Sequence, residues 1–229
     1  MIIAVIPAYN EESRIAVVVR DALPFVNTVI VVDDGSTDST AQTAKDAGAF
    51  LVSHVENSGA GAATMTGIEA ARRMGATIVV TLDADGQHLP SDIPLVLAPI
   101  KQNKADIVFA NRFGPFGFAQ GKQRNKIPLV RRFFNGAGNI ITFMVTGRWV
   151  QDSQCGFKAF GPKALKDVAL RMRGFEFCTE IVRESVTHHW RVAQVPTKVV
   201  YSEYTMAKGQ SFAMGVKTAL KILLRSFLR

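Results

Sequence analysis

Short apolar runs alternate with amphipathic stretches through the first half of the chain. Residues 2–6, 28–32, 50–54, 77–82 and 106–110 are too short for helices and rich in β-branched residues, so they predict strands. Stretches of helical period lie between them: residues 11–23, a segment opened by Thr37 or Asp38 and closed near Gly48, residues 60–74 ending at Gly75, and residues 91–102. Nearly continuous apolar strands between helices indicate a parallel sheet covered on both faces. The expected fold is α/β, a Rossmann-like, doubly wound and mostly parallel sheet. Ligands bind such sheets at the carboxyl ends of the strands. Those ends carry Pro7 to Glu11, Asp33-Asp34, Glu56-Asn57, Asp83-Ala84-Asp85 and Asn111-Arg112, so polar side chains converge on one edge.

The pattern changes after Arg112. Residues 113–121 are rich in Gly and Phe and read as a mobile loop, residues 127–146 as a mostly apolar helix, and residues 192–201 as a late strand completing the sheet. Near the end, Lys217, Lys221, Arg225 and Arg229 recur every fourth residue, with Phe212, Val216, Leu220, Leu223 and Phe227 on another helical face. That is the pattern of a basic amphipathic helix lying in a membrane interface. The expected organisation is one domain over residues 1–205 followed by this helix over 206–229. The apolar stretch 136–147 is well short of the roughly 20 residues that span a bilayer. Residues 1–12 lack the basic and long apolar regions of a signal peptide. The expectation is therefore a cytoplasmic protein held peripherally at a membrane.

Composition narrows the classes. With 48% hydrophobic residues the chain is no disordered tail, and its two cysteines, Cys155 and Cys178, support neither a disulfide scaffold nor a structural zinc site. The formal net charge of +8 is unevenly placed. Residues 107–151 hold seven basic and no acidic side chains, residues 204–229 five and none, and the remainder 15 basic against 19 acidic. A mildly acidic body with two basic segments suits phosphates, nucleic acid or an anionic membrane. Nucleic-acid binding would call for basic residues interleaved with exposed aromatics and would have no use for a paired Asp83 and Asp85.

Asp83-Ala84-Asp85-Gly86-Gln87-His88 is the sharpest chemical signal. An extended backbone would put the oxygens of Asp83, Asp85 and Gln87 on one side, a set suited to Mg²⁺ or Mn²⁺ when substrate phosphates complete the shell. Asp33 or Asp34, at another strand end, can accept from a base or a ribose hydroxyl. Asn57-Ser58-Gly59-Ala60-Gly61 opens a helix, where amides favour anions. Its spacing and its place after the third strand do not fit a dinucleotide fingerprint, and no phosphate-binding P-loop is present.

Four segments in order, Ile6-Pro7-Ala8-Tyr9-Asn10-Glu11-Glu12, Val32-Asp33-Asp34-Gly35-Ser36, Asp83 to His88, and Asp152-Ser153-Gln154-Cys155-Gly156-Phe157-Lys158, resemble the family 2 glycosyltransferases. The branch they are most similar to is the polyprenyl-phosphate (dolichyl-phosphate) sugar synthases. The resemblance implies a GT-A fold, a metal-dependent inverting transferase, and a nucleotide-sugar donor of the GDP-mannose or UDP-glucose type. It implies a polyprenyl monophosphate acceptor at a membrane surface, no nucleic acid, and leaves a separate membrane subunit open. It assigns donor contacts to Pro7, Tyr9, Glu11, Asp83 and one of Asp33 or Asp34, and the metal, Mg²⁺ or Mn²⁺, to Asp83, Asp85 and Gln87. Arg112 matches the arginine facing the acceptor phosphate, with Arg131, Asn135 and Lys208 as further phosphate contacts. Asp152 either positions the acceptor loop or serves as a base for a hydroxyl acceptor. The chain departs from the family in having Asn111 before Arg112 and Lys208 where an arginine is usual. Two alternatives stay open: a transferase of the same fold acting on a glycan hydroxyl, and a sugar-phosphate nucleotidyltransferase. The latter opens with a Gly-rich, Arg-containing loop that Pro7-Ala8-Tyr9-Asn10 is not.

Overall fold

A computed structural model of the chain describes residues 1–112 and 129–200, with the backbone alone for 129–134. Lys208, the 206–229 helix, the boundary at 205, the 113–121 loop and the Arg131 side chain therefore lie outside the described residues.

Five predicted strands form where expected: β1 (Ile2–Ala8), β2 (Thr28–Asp33), β3 (Phe50–Ser53), β4 (Ile78–Thr81) and β5 (Ile107–Asn111). The helices between them are α1 (Ile15–Ala22), α2 (Thr40–Asp46), α3 (Ala60–Arg73) and α4 (Ile93–Lys101). The second half adds α5 (Leu129–Thr146), β6 (Lys158–Phe160), α6 (Pro162–Asp167), α7 (Phe177–Thr187) and β7 (Val192–Pro196). The sheet runs β3-β2-β1-β4-β6-β5-β7, and β6 alone is antiparallel to its neighbours. The late strand is shorter than expected and pairs parallel with β5.

Alternation along the strands sorts the core into two layers. Ala4, Ile6, Val29 and Val31 bury against α1, α2 and α4. Ile3, Val5, Ile30 and Val32 bury against α3, α6 and α7. Each such side chain contributes about 1.5–3 kcal/mol by leaving water, so the central strands form a rigid base for what their ends carry.

The antiparallel insertion matters for the site. Lys158 at the start of β6 pairs with Thr81 of β4 and Phe109 of β5. Residues 152–157 thereby reach the edge where β4 and β5 end. One reversed strand brings the fourth motif beside the third.

Candidate active site

The loops that follow β1 and β2 are laced to one another. The Asn10 amide donates to Ser36 Oγ (2.9 Å), the Thr37 amide to Asn10 Oδ1 (2.9 Å), and the Glu11 amide to Thr40 Oγ1 (2.7 Å). Asn10 takes a left-handed backbone, φ 53°, which Asn tolerates better than most residues. Tyr9, at the end of β1, keeps 45% of its surface in solvent.

Asp33 and Asp34 have different work. Asp34 Oδ1 meets His54 Nδ1 (2.7 Å) and the Ser58 amide (2.9 Å), while Oδ2 accepts from the Gly59 amide (2.8 Å). His54 Nε2 lies 3.0 Å from Thr66 Oγ1, which ties this unit to α3. The next amides, of Gly61 and Ala62, donate to the Arg173 carbonyl. The amides of Ser58, Gly59, Gly61 and Ala62 are therefore taken up within the protein, which gives residues 57–61 a structural role. Asp33 accepts from the Ser36 amide at 3.3 Å, a long bond that leaves its carboxylate capacity for a ligand.

Asp83 and Asp85 leave β4 side by side, but not on an extended backbone. The chain turns through Ala84 and Asp85, Gly86 has φ 73°, and Asp85 Oδ1 accepts from the Gln87 amide at 2.9 Å. The Asp83 side chain, 43% exposed, has its Oδ2 3.5 Å from His88 Nε2. His88 is buried edge-on to Phe157, with Cys155 Sγ 3.6 Å from the same nitrogen.

The charges are unequal across the pair. Burial, then the Asp83 charge, pushes the Asp85 carboxyl up to about 6. Asp83 is also pushed up by desolvation, but His88, Lys158 and Arg112 outweigh that and hold it below the ordinary range. Burial opposes the charged form of His88, yet Cys155 and Asp83 raise it to about 10. Two neighbouring carboxylates, one raised by the other, are what a hard divalent cation relieves. Among the described residues no group of three or more His, Cys, Asp or Glu side chains could hold a metal. A cation at Asp83 and Asp85 would thus take the rest of its shell from Gln87, water and substrate oxygens, as Mg²⁺ and Mn²⁺ do with diphosphates. The residues fit the expected ion.

Gly156 supports this arrangement by having no side chain, since a Cβ there would fall inside the Asp83 carboxylate. Its carbonyl accepts from Thr81 Oγ1 (2.6 Å), and the Cys155 carbonyl accepts from Lys158 Nζ. Lys158 is fully buried, with Phe109 and Phe177 ring centroids 5.7 and 5.8 Å from its ammonium. Gly156→Ala is expected to lower Mn²⁺ affinity about 10- to 100-fold, because the Asp83 carboxylate must swing away. The thermal midpoint should hardly move, since that carboxylate can move into solvent. Titration of Mn²⁺ beside a melting curve checks both.

At the end of β5, Arg112 and Asp152 form a closed fork. Arg112 Nε and Nη2 donate to Asp152 Oδ2 (2.7 Å) and Oδ1 (2.8 Å), and the Arg112 amide adds a bond to Oδ2 (3.0 Å). The Asp152 side chain is 1% exposed. Both of its oxygens are committed to Arg112, which favours the positioning role over the base. Asn135 lies partly buried on α5. Sequence reasoning missed Asn139, the burial of Lys158 and the hold of Asp34 on the Ser58 and Gly59 amides. Glu180 is buried behind the site, accepting from the amides of Arg171 (2.9 Å) and Met172 (2.8 Å).

The model of a family described as glycosyl transferase family 2 matches residues 3–168. The UDP-N-acetylglucosamine–dolichyl-phosphate N-acetylglucosaminyltransferase of Methanococcus voltae is 34% identical, over 98% of this chain and 95% of its own. The undecaprenyl-phosphate mannosyltransferase of Micrococcus luteus is 27% identical, over 90% of this chain and 86% of its own. Glucosyl-3-phosphoglycerate synthase from Mycobacterium tuberculosis, solved with Mn²⁺, UDP-glucose and phosphoglyceric acid, superposes with a TM-score of 0.72. It is 18% identical and covers 100% of this chain and 78% of its own, a likeness of fold.

Proposed function

The chain belongs to the family 2 glycosyl transferases, and from that premise we propose that it moves one sugar from a nucleotide diphosphate sugar to a polyprenyl monophosphate at a membrane surface. The observation that carries this reading is the pairing of a carboxylate site with an arginine site on one sheet edge, Asp83-Asp85 at the end of β4 and Arg112 at the end of β5. The first suits a donor diphosphate with its cation, the second an acceptor that is itself an anion.

Tyr9 and Asp33 border the place for the nucleoside, and Pro7 and Glu11 complete that wall. Asp83 and Asp85, with Gln87, hold the divalent ion, which when bound stabilises the charge developing on the leaving diphosphate. Arg112, kept in plane by Asp152, orients the acceptor phosphate and offsets its repulsion from the donor. Arg131, Asn135 and Lys208 are the further candidates for that phosphate. A phosphate oxygen is already anionic at neutral pH, so attack needs no strong base. The commitment of Asp152 to Arg112 disfavours a hydroxyl acceptor for the same reason.

The outer face of α5 supports the membrane contact. Ile140 (52%), Phe143 (44%) and Met144 (64%) are exposed beside Trp149 (51%), whose ring lies 5.9 Å from that of Phe143. An exposed aliphatic and aromatic strip close to the acceptor fork suits an interfacial helix. No helix of the described residues is long and apolar enough to cross a membrane. The test is a panel of UDP-N-acetylglucosamine, UDP-glucose and GDP-mannose with Mn²⁺ and a polyprenyl phosphate. The Methanococcus relative puts UDP-N-acetylglucosamine first. Metal-dependent glycolipid from one donor is the expected result, and turnover only with soluble glycans would reverse the acceptor assignment.

A further inference from the structure

α5 carries an exposed apolar strip and, among its described side chains, two buried polar ones, Asn139 and Thr142. Asn139 is 6% exposed, and its carboxamide grips the loop that holds Asp152. Nδ2 donates to the Gln151 carbonyl, while Oδ1 accepts from the Ser153 amide (3.0 Å) and the Ser153 hydroxyl (2.8 Å). The two peptide groups flanking Asp152 are thus held by one side chain. One turn on, Thr142 contacts Thr179 of α7 (2.9 Å) and Ser153 Oγ (3.3 Å), so the inner face is anchored at two levels. Asp152 in turn fixes the amide and the guanidinium of Arg112.

We propose that Asn139 is a positioning residue for the acceptor: it couples the seating of α5 to the aim of the Arg112 fork by clasping the backbone on both sides of Asp152. The inference rests on the reading of Arg112 as the acceptor-phosphate contact. Its physical content is directional. A carboxamide that both donates and accepts fixes the loop in position and rotation, which a single bond does not. Because Ile140, Phe143 and Met144 follow on the same helix, docking that face on a lipid surface sets the height of Asn139 and hence of the fork. Misplacing a charge clamp by about 1 Å can cost about 100-fold in rate.

The experiment measures KM for polyprenyl phosphate and KM for the nucleotide sugar separately, in wild type, Asn139→Ala and Asn139→Asp. The alanine variant is expected to raise the acceptor KM between about 10- and 100-fold while the donor KM stays within about twofold. The aspartate variant keeps the oxygen that Ser153 donates to and should fall between, which also serves if the alanine variant does not fold. In an Arg112→Ala background, Asn139→Ala should add nothing further to the acceptor KM, because both act on one unit. An unchanged acceptor KM, a donor KM that rises equally, or full additivity with Arg112→Ala would overturn the inference. A wild type that makes no glycolipid would instead overturn the acceptor reading on which it rests.

Discussion

Asp85→Ala is expected to reduce sugar transfer by at least about 1,000-fold, roughly 4 kcal/mol of transition-state stabilisation. The reason is the composition of the site. Only two carboxylates leave β4 together, and no third acidic, histidine or cysteine ligand among the described residues stands in for a lost one. Asp83→Asn should cost a similar factor for a second reason. Its oxygen sits against Gly156 and faces His88, so an amide there presents a donor where the site is built for an anion. In both variants the buried layers of the sheet are untouched, and the thermal midpoint should stay near wild type. Mn²⁺ titration followed by initial rates checks the claim. Rates within tenfold of wild type at saturating Mn²⁺ would remove these carboxylates from the metal site.

Arg112→Ala is expected to lower kcat/KM for the lipid phosphate by about 100- to 1,000-fold, leaving donor affinity nearly intact. Arg112→Lys should recover little, because an ammonium cannot form the planar fork with Asp152. Asp152→Ala should be nearly as damaging to transfer, and it also costs stability. It strands Arg112 beside a buried cavity, and breaking such a pair from one side costs about 3–5 kcal/mol. The double variant Arg112→Ala with Asp152→Ala should therefore be more stable than Asp152→Ala alone, though no more active. Steady-state kinetics and melting curves on the three variants decide this. A hydroxyl acceptor activated by Asp152 would show the opposite order, with Asp152→Asn far worse than Arg112→Ala.

The scaffold half of this account was legible in the sequence. Five apolar runs with helices between them mark β1 to β5, because a buried parallel strand must be apolar on both faces. The strand-end positions of Asp33, Asp83 and Arg112 follow from that layout. β6 was not legible, for it spans three residues and starts with Lys158, a charge where the pattern asks for an apolar side chain. Only the fold supplies the two ring faces and the carbonyl that make a buried ammonium tolerable. Asp33 and Asp34 are indistinguishable in sequence, and the choice falls to which one the amides of Ser58 and Gly59 reach. The Arg112–Asp152 fork joins residues 40 apart in the chain through the reversal at β6. Asn139 lies in a mostly apolar stretch, and only the fold places beneath it the loop that supplies its partners.

On the proposed reading, one edge of the sheet brings a nucleotide sugar and a lipid monophosphate together for a single glycosyl transfer. The mass spectrum of the lipid product tests it most directly, from purified protein, Mn²⁺, UDP-N-acetylglucosamine and a polyprenyl phosphate, with the other two donors run alongside. The expected product is a lipid heavier by one sugar residue, carrying its original single phosphate, with nucleoside diphosphate released in equal amount. A lipid that gains sugar and a second phosphate while nucleoside monophosphate is released would contradict it.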